Sequence, residues 1–202
     1  MKLIGMLDSP FVRRAAITLR LKGLAFEHQS LSVFRNFDEF QAINPLVKAP
    51  TLIGDGGWQL VDSSLIIDWA ETTGSGPGLM PADPATRLHT LRLIGLGLIA
   101  AEKSVQIVYE GKRIEQHRDA DWLARVQGQL KAAYTALERE ASGRHGWLVG
   151  ETLTQADITV AVAWGFTQLM QPELIASTSY PALAAHAARA EQLPAFAELP
   201  PT

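Results

Sequence analysis

The chain contains no cysteine. Disulfides, thiolate metal sites and a cysteine nucleophile are excluded together. It has no basic excess either. Its 18 Lys and Arg against 21 Asp and Glu give a formal charge of −3, the wrong sign for a non-specific nucleic-acid binder. It lacks a long apolar run: the two longest, at residues 94–101 and 158–170, fall short of the roughly 20 residues needed to span a bilayer. Only five residues separate Lys2 from Asp8, too few for the core of a secretory leader, so a cytoplasmic protein is expected. The histidines (His28, His89, His117, His145, His186) offer no pair at ligand spacing, and no metal is expected. Repeats and low-complexity tracts are absent.

What is present is ordinary globular material. The hydrophobic fraction is 47% and the charged fraction 19%, enough apolar surface to build cores. A length of 202 residues allows one large domain or two small ones.

Texture divides the chain. In the first part it changes every few residues. Residues 3–7 form a short apolar run, a strand candidate. Ser9-Pro10 then opens a helix, because Ser is a preferred N-cap and Pro at the first helical position loses no needed N–H. Val12, Ala16 and Leu19 repeat at helical spacing until Gly23. Residues 26–31 read as a second strand and 38–43 as a short helix ended by Asn44-Pro45. Residues 51–53 and 58–61 flank Gly54-Asp55-Gly56-Gly57, a hairpin signal. Ser63-Ser64 can cap a helix carrying Leu65, Ile66, Trp69 and Ala70. The order is βαβ, a link, then ββα.

Residues 74–84 hold three prolines and three glycines and break all periodicity, which marks a linker. Beyond it the texture is helical. Leu91, Ile94, Leu98, Ala101, Val105 and Val108 make one stripe; Trp122, Val126, Leu130, Ala133 and Leu137 make another. Residues 158–170 are apolar nearly all round, as in a helix at the centre of a bundle. Two domains are expected, residues 1–78 and 85–202, the first α/β and the second all-helical.

Four places can carry chemistry or imitate it. Ser9 reads either as a plain N-cap or as a hydroxyl at the positive end of a helix dipole. There it can donate to a bound thiolate and lower a thiol pKa from about 8.5 into the range of about 3.5–7.5. Ala49-Pro50 reads either as the start of an edge strand or as a cis peptide that leaves the Ala49 backbone free to pair with a peptide ligand. Asp62-Ser63-Ser64 reads either as a strand end and helix cap or as an anion site, where the serine and exposed N–H groups hold a carboxylate and Asp62 accepts from an ammonium group. Thr154-Gln155-Ala156-Asp157 is a capping box with Leu153 and Ile158 as its hydrophobic staple, a folding device.

Taken in order, these signals resemble one family over essentially the whole chain. Ser9-Pro10-Phe11-Val12-Arg13-Arg14, Asn44-Pro45, Lys48-Ala49-Pro50-Thr51-Leu52, Asp62-Ser63, the linker and the capped helix at 154–157 are similar to the glutathione transferases. The opening hexapeptide looks like the subgroup that includes the tau and omega classes and their bacterial relatives. The resemblance implies a thioredoxin-like N-terminal domain, an all-helical C-terminal domain, glutathione as co-substrate and a homodimer. By position, Ser9 matches the residue bonded to the glutathione sulfur, and Phe11 lies beside it. Ala49 and Pro50 match the element that pairs with the cysteinyl backbone. Asp62 and Ser63 match an acidic-Ser pair that holds the γ-glutamyl end, with Asp in place of the usual Glu. Lys48 matches a contact to the glycyl carboxylate.

Two absences then sharpen the expectation. The first tyrosine is Tyr109, which excludes a tyrosine-activated type. The lack of cysteine excludes the omega route through a mixed disulfide. The expected activity is conjugation of the glutathione thiolate to a small apolar electrophile, a detoxification chemistry, with Ser9 as the catalytic residue. Phe34, Tyr109 and Arg113 are expected to line the electrophile pocket with Phe11. The rivals are a non-catalytic partner-binding module on the same fold and a glutathione-dependent isomerase or dehalogenase.

Overall fold

Four short strands organise the first unit. The computed structural model describes all 202 residues, and its packing divides into two units, Met1–Leu79 with Leu193–Thr202, and Met80–Gln192. In the first, β1 (Lys2–Ile4), α1 (Pro10–Leu21) and β2 (Glu27–Gln29) make a parallel βαβ crossover. Then come α2 (Phe37–Ile43), β3 (Thr51–Ile53), β4 (Gln59–Leu60) and α3 (Ser63–Thr73). The strand order is β2-β1-β3-β4, with β3 antiparallel to both its neighbours. Leu3 pairs His28 on one side and Leu52 on the other.

Alternation along β1 sends Leu3 and Ile4 to opposite faces. Ile4 clusters with Leu31 and Phe40 of α2, while α1 and α3 pack on each other through buried Val12, Ala15, Ala16, Ile66 and Ala70. Gly5 follows β1 at φ +135°, and a Cβ there would lie 2.6 Å from Val12 and 3.0 Å from Ala49. Only glycine lets strand, helix and the Ala49 turn come this close.

The last ten residues pack with this first unit. Buried Arg13 explains it. Its Nε donates to the Leu199 carbonyl at 2.8 Å and its Nη2 to that of Phe196 at 3.3 Å, with the guanidinium stacked 5.6 Å from the Phe196 ring. The segment carries α8 (Pro194–Ala197).

The second unit holds α4 (Pro84–Gly111), α5 (Ala120–Ala141), α6 (Gln155–Met170) and α7 (Pro181–Glu191), and no strand. As its composition predicts, α6 is buried on nearly every side. The α4 stripe differs from expectation. Leu91 is exposed, and the buried face is Thr90, Leu93, Ile94, Gly97, Ala100, Ala101 and Ser104. Small residues win because α4 runs close to α6: a Cβ on Gly97 would lie 3.1 Å from Thr159. On α5, Val126, Leu130, Ala133 and Leu137 are buried as expected and Trp122 is exposed. No helix is long and apolar enough to cross a membrane.

Candidate functional site

Register brings three loops to one edge of the sheet. The C-terminal end of β1 lies beside the N-terminal end of β3, since Ile4 pairs Thr51. The C-terminal end of β4 lies beside the same stretch, since Leu60 pairs Leu52. The segments leaving or entering these ends are Gly5–Ser9, Lys48–Pro50 and Val61–Ser63, which carry most of the residues singled out from sequence.

Ser9 occupies the N-cap position of α1 with extended backbone, φ −66° and ψ 125°. Its carbonyl accepts the Arg13 amide at 2.9 Å. Its hydroxyl makes no capping hydrogen bond. With Pro10 at the first helical position, the half-buried hydroxyl and the first free amides of the helix remain as donors at its positive end. A ligand anion suits such a place.

The turn before β3 is built by Asn44. Its buried amide donates to Thr51 Oγ1 at 2.8 Å and its Oδ1 accepts the Leu46 amide at 3.0 Å. Thr51 Oγ1 in turn donates to the Lys48 carbonyl at 2.6 Å. This chain shapes residues 44–51, and the Ala49–Pro50 peptide within it is cis. Pro50 is buried, Ala49 half-buried and Lys48 exposed.

At the start of α3 the division of labour differs from the expected one. Asp62, not Ser63, is the N-cap, and its Oδ1 accepts the Ser64 amide at 2.8 Å. The Val61–Asp62 peptide is cis. Ser63 is the first helical residue, and its buried hydroxyl accepts from Arg14 Nη1 at 2.9 Å; Ser64 Oγ accepts from the same nitrogen at 3.2 Å. At this cap the Asp62 carboxylate is attracted by both the positive end of the helix dipole and the Arg14 cation.

Arg14 is the residue that sequence reasoning left out. A guanidinium in the first turns of a helix reads as surface charge, yet Arg14 is only 2% exposed. Burial lowers its pKa to about 10, against the opposing attraction of Asp62, so it stays cationic at neutral pH. The one signal for it was position: on α1, five residues after Ser9, on a face that must meet α3.

The remaining named residues are spread. Phe11 is half-buried and Phe34 exposed in the first unit. Tyr109 and Arg113 are exposed near the end of α4 in the second, where Arg113 Nε lies 3.7 Å from Glu110. No group of three or more His, Asp or Glu side chains is placed to hold a metal ion.

The site therefore gathers a free hydroxyl, two helix N-termini and a buried cation at one sheet edge, an arrangement suited to a ligand with a thiolate and a carboxylate. Residues 3–78 match the N-terminal domain of glutathione S-transferases, and residues 120–189 match their C-terminal domain. A glutathione S-transferase from Methylobacterium radiotolerans, solved in complex with glutathione sulfonate, is 32% identical and superposes with a TM-score of 0.92, covering 99% of this chain and 94% of that one. The GST-like protein YibF of Escherichia coli is 29% identical over 166 residues, 82% of this chain and 81% of its own. The mouse maleylacetoacetate isomerase is 28% identical over 151 residues, 72% of this chain and 68% of its own.

Proposed function

Since the chain belongs to the glutathione transferase family, we propose that it binds glutathione at this sheet edge and uses Ser9 to hold the sulfur as a thiolate. The observation that carries the reading is the Ser9 hydroxyl, placed at a helix N-terminus yet making no capping bond. The thiolate attacks an electrophilic carbon of a small apolar compound, forming a C–S bond. The protein contributes proximity and a lowered thiol pKa, each pKa unit being worth about 1.4 kcal/mol. In this reading Ala49, ahead of Pro50, pairs with the cysteinyl backbone of glutathione. Asp62 accepts from the γ-glutamyl ammonium, Ser63 binds its carboxylate, and Lys48 approaches the glycyl carboxylate. Phe11 and Phe34, beside this edge, contact the second substrate.

A second reading is supported by the similarity to maleylacetoacetate isomerase. An isomerase would use the same thiolate and release it again. Free thiol decides between them. Incubation with glutathione and a panel of electrophiles and cis-alkenes should consume one thiol per product in a transferase and none in an isomerase. Failure of glutathione to bind at all would leave the non-catalytic partner-binding module.

The protein is proposed to act in the cytoplasm as a homodimer. Along α4, exposed Leu88, Leu91 and Ile99 lie around Gly95, where a Cβ would meet open space. Leu91 and Ile99 are each four residues from Gly95, while Leu88 and the acidic Glu102 are each seven. An antiparallel second copy crossing at Gly95 would set Leu91 of one copy against Ile99 of the other, with the Leu88 side chain beside Glu102. Light scattering should give twice the chain mass, and Leu91→Glu should halve it.

A further inference from the structure

Two serines begin α3, and one buried cation reaches both. A serine hydroxyl is a donor and an acceptor at once, and its proton rotates to suit its neighbours. A guanidinium donates only. Where Arg14 Nη1 donates to Ser63 Oγ at 2.9 Å and to Ser64 Oγ at 3.2 Å, it fills an acceptor position on each oxygen. It also repels the positive end of each O–H dipole, so both protons turn away from it. Ser63 would otherwise be free to offer either a lone pair or a proton.

Resting on the glutathione reading above, we infer that Arg14 is a positioning residue: it fixes the Ser63 and Ser64 hydroxyls as outward donors and so makes the α3 end of the site selective for the α-carboxylate of the γ-glutamyl group. Its burial strengthens the effect. A cation that is 2% exposed acts through a medium of lower effective dielectric than water. The positive end of the α3 dipole adds to it. Asp62 is committed through its Oδ1 to the Ser64 amide. The acidic side chain thus serves the ammonium side of the ligand and the serines serve the carboxylate side.

A merely structural Arg14, stitching α1 to α3, would predict something else. Its loss would loosen the whole site and weaken every ligand alike. The test compares glutathione with its analogue 4-aminobutyryl-cysteinyl-glycine, which lacks only the α-carboxylate. Calorimetry on the folded dimer reads both affinities for the wild type and for Arg14→Gln. The wild type should prefer glutathione by about 10-fold or more, the scale of a hydrogen bond to a charged group. Arg14→Gln should weaken glutathione about 10- to 100-fold and leave the analogue nearly unchanged, so the preference disappears. Equal losses for both ligands, or a retained preference, would overturn the inference. Absence of glutathione binding by the wild type would instead overturn the glutathione reading itself. If Arg14→Gln does not fold, Arg14→Lys carries the comparison. A single ammonium keeps the charge but cannot reproduce the planar fork. A several-fold drop in preference is expected, and an unchanged preference would contradict the role.

Discussion

Two helix starts look alike in the sequence and end up opposite in the structure. Ser9-Pro10 opens α1, and Thr154-Gln155 opens α6. At α6 the polar groups close on one another. Asp157 Oδ2 accepts the Thr154 amide at 2.8 Å and its hydroxyl at 2.7 Å, and Oδ1 accepts the Leu148 amide at 2.7 Å. At α1 the hydroxyl makes no such bond. Satisfied polar groups in a buried place hold a fold. A hydroxyl left open at the positive end of a helix is available to a ligand. A hydroxyl-bearing residue at the same helical position is thus closed into a cap in one unit and left open to a ligand in the other.

The contrast predicts separable effects. The largest belongs to the closed start. Asp157 is fully buried and holds three donors, so Asp157→Ala leaves several of them unsatisfied rather than one. Thermal or urea unfolding should show a loss of about 2–4 kcal/mol, more than the roughly 1 kcal/mol typical of a single cap. Glutathione affinity per folded molecule should stay near wild type. A variant with native stability and lost affinity would break the comparison from that side.

Next comes the open start. Ser9→Ala should reduce conjugation at neutral pH by about 10- to 100-fold, the equivalent of a charged hydrogen bond. Its melting temperature should barely move, because no capping bond is lost. A large fall in stability with unchanged turnover would reduce Ser9 to a cap after all.

A smaller effect sharpens the closed side. His186 is buried against Asp157, with its Nε2 3.8 Å from Asp157 Oδ1 and its ring edge-on to Trp147. Burial pushes its pKa down, the Asp157 carboxylate partly offsets this, and Arg189 adds to the lowering. A histidine whose folded pKa lies below its unfolded value of about 6.5 binds protons more readily in the unfolded chain. Stability from this group is therefore complete above pH ~6.5 and declines as pH falls below it. Urea unfolding between pH 5 and pH 8, values bracketing that of free histidine, should show this slope, and His186→Gln should flatten it. An unchanged slope would mean that another group titrates there.

Much of this was legible in the sequence. Ser-Pro, Ala-Pro and Asp-Ser at strand ends, a Pro/Gly linker and an all-apolar helix gave the architecture, because each follows from local chemistry. The capping box was readable since its partners are three residues apart. What stayed hidden depends on neighbours distant in sequence. Arg14 and Ser63 are 49 residues apart and meet only because β4 delivers α3 to α1. Arg13 and Leu199 are 186 apart, so no local pattern announces that the C-terminal segment packs with the first unit. The α4 stripe was misplaced for another reason: weight was given to leucines, while close approach to α6 selected Gly97, Ala100 and Ala101.

The central claim is that the Ser9 hydroxyl stabilises a glutathione thiolate. The ultraviolet absorbance of the bound thiolate against pH tests it most directly, for wild type and Ser9→Ala saturated with glutathione. Loss of one charged hydrogen bond should raise the bound thiol pKa by roughly one to two units with little change in glutathione affinity. Superimposable titration curves would contradict the account.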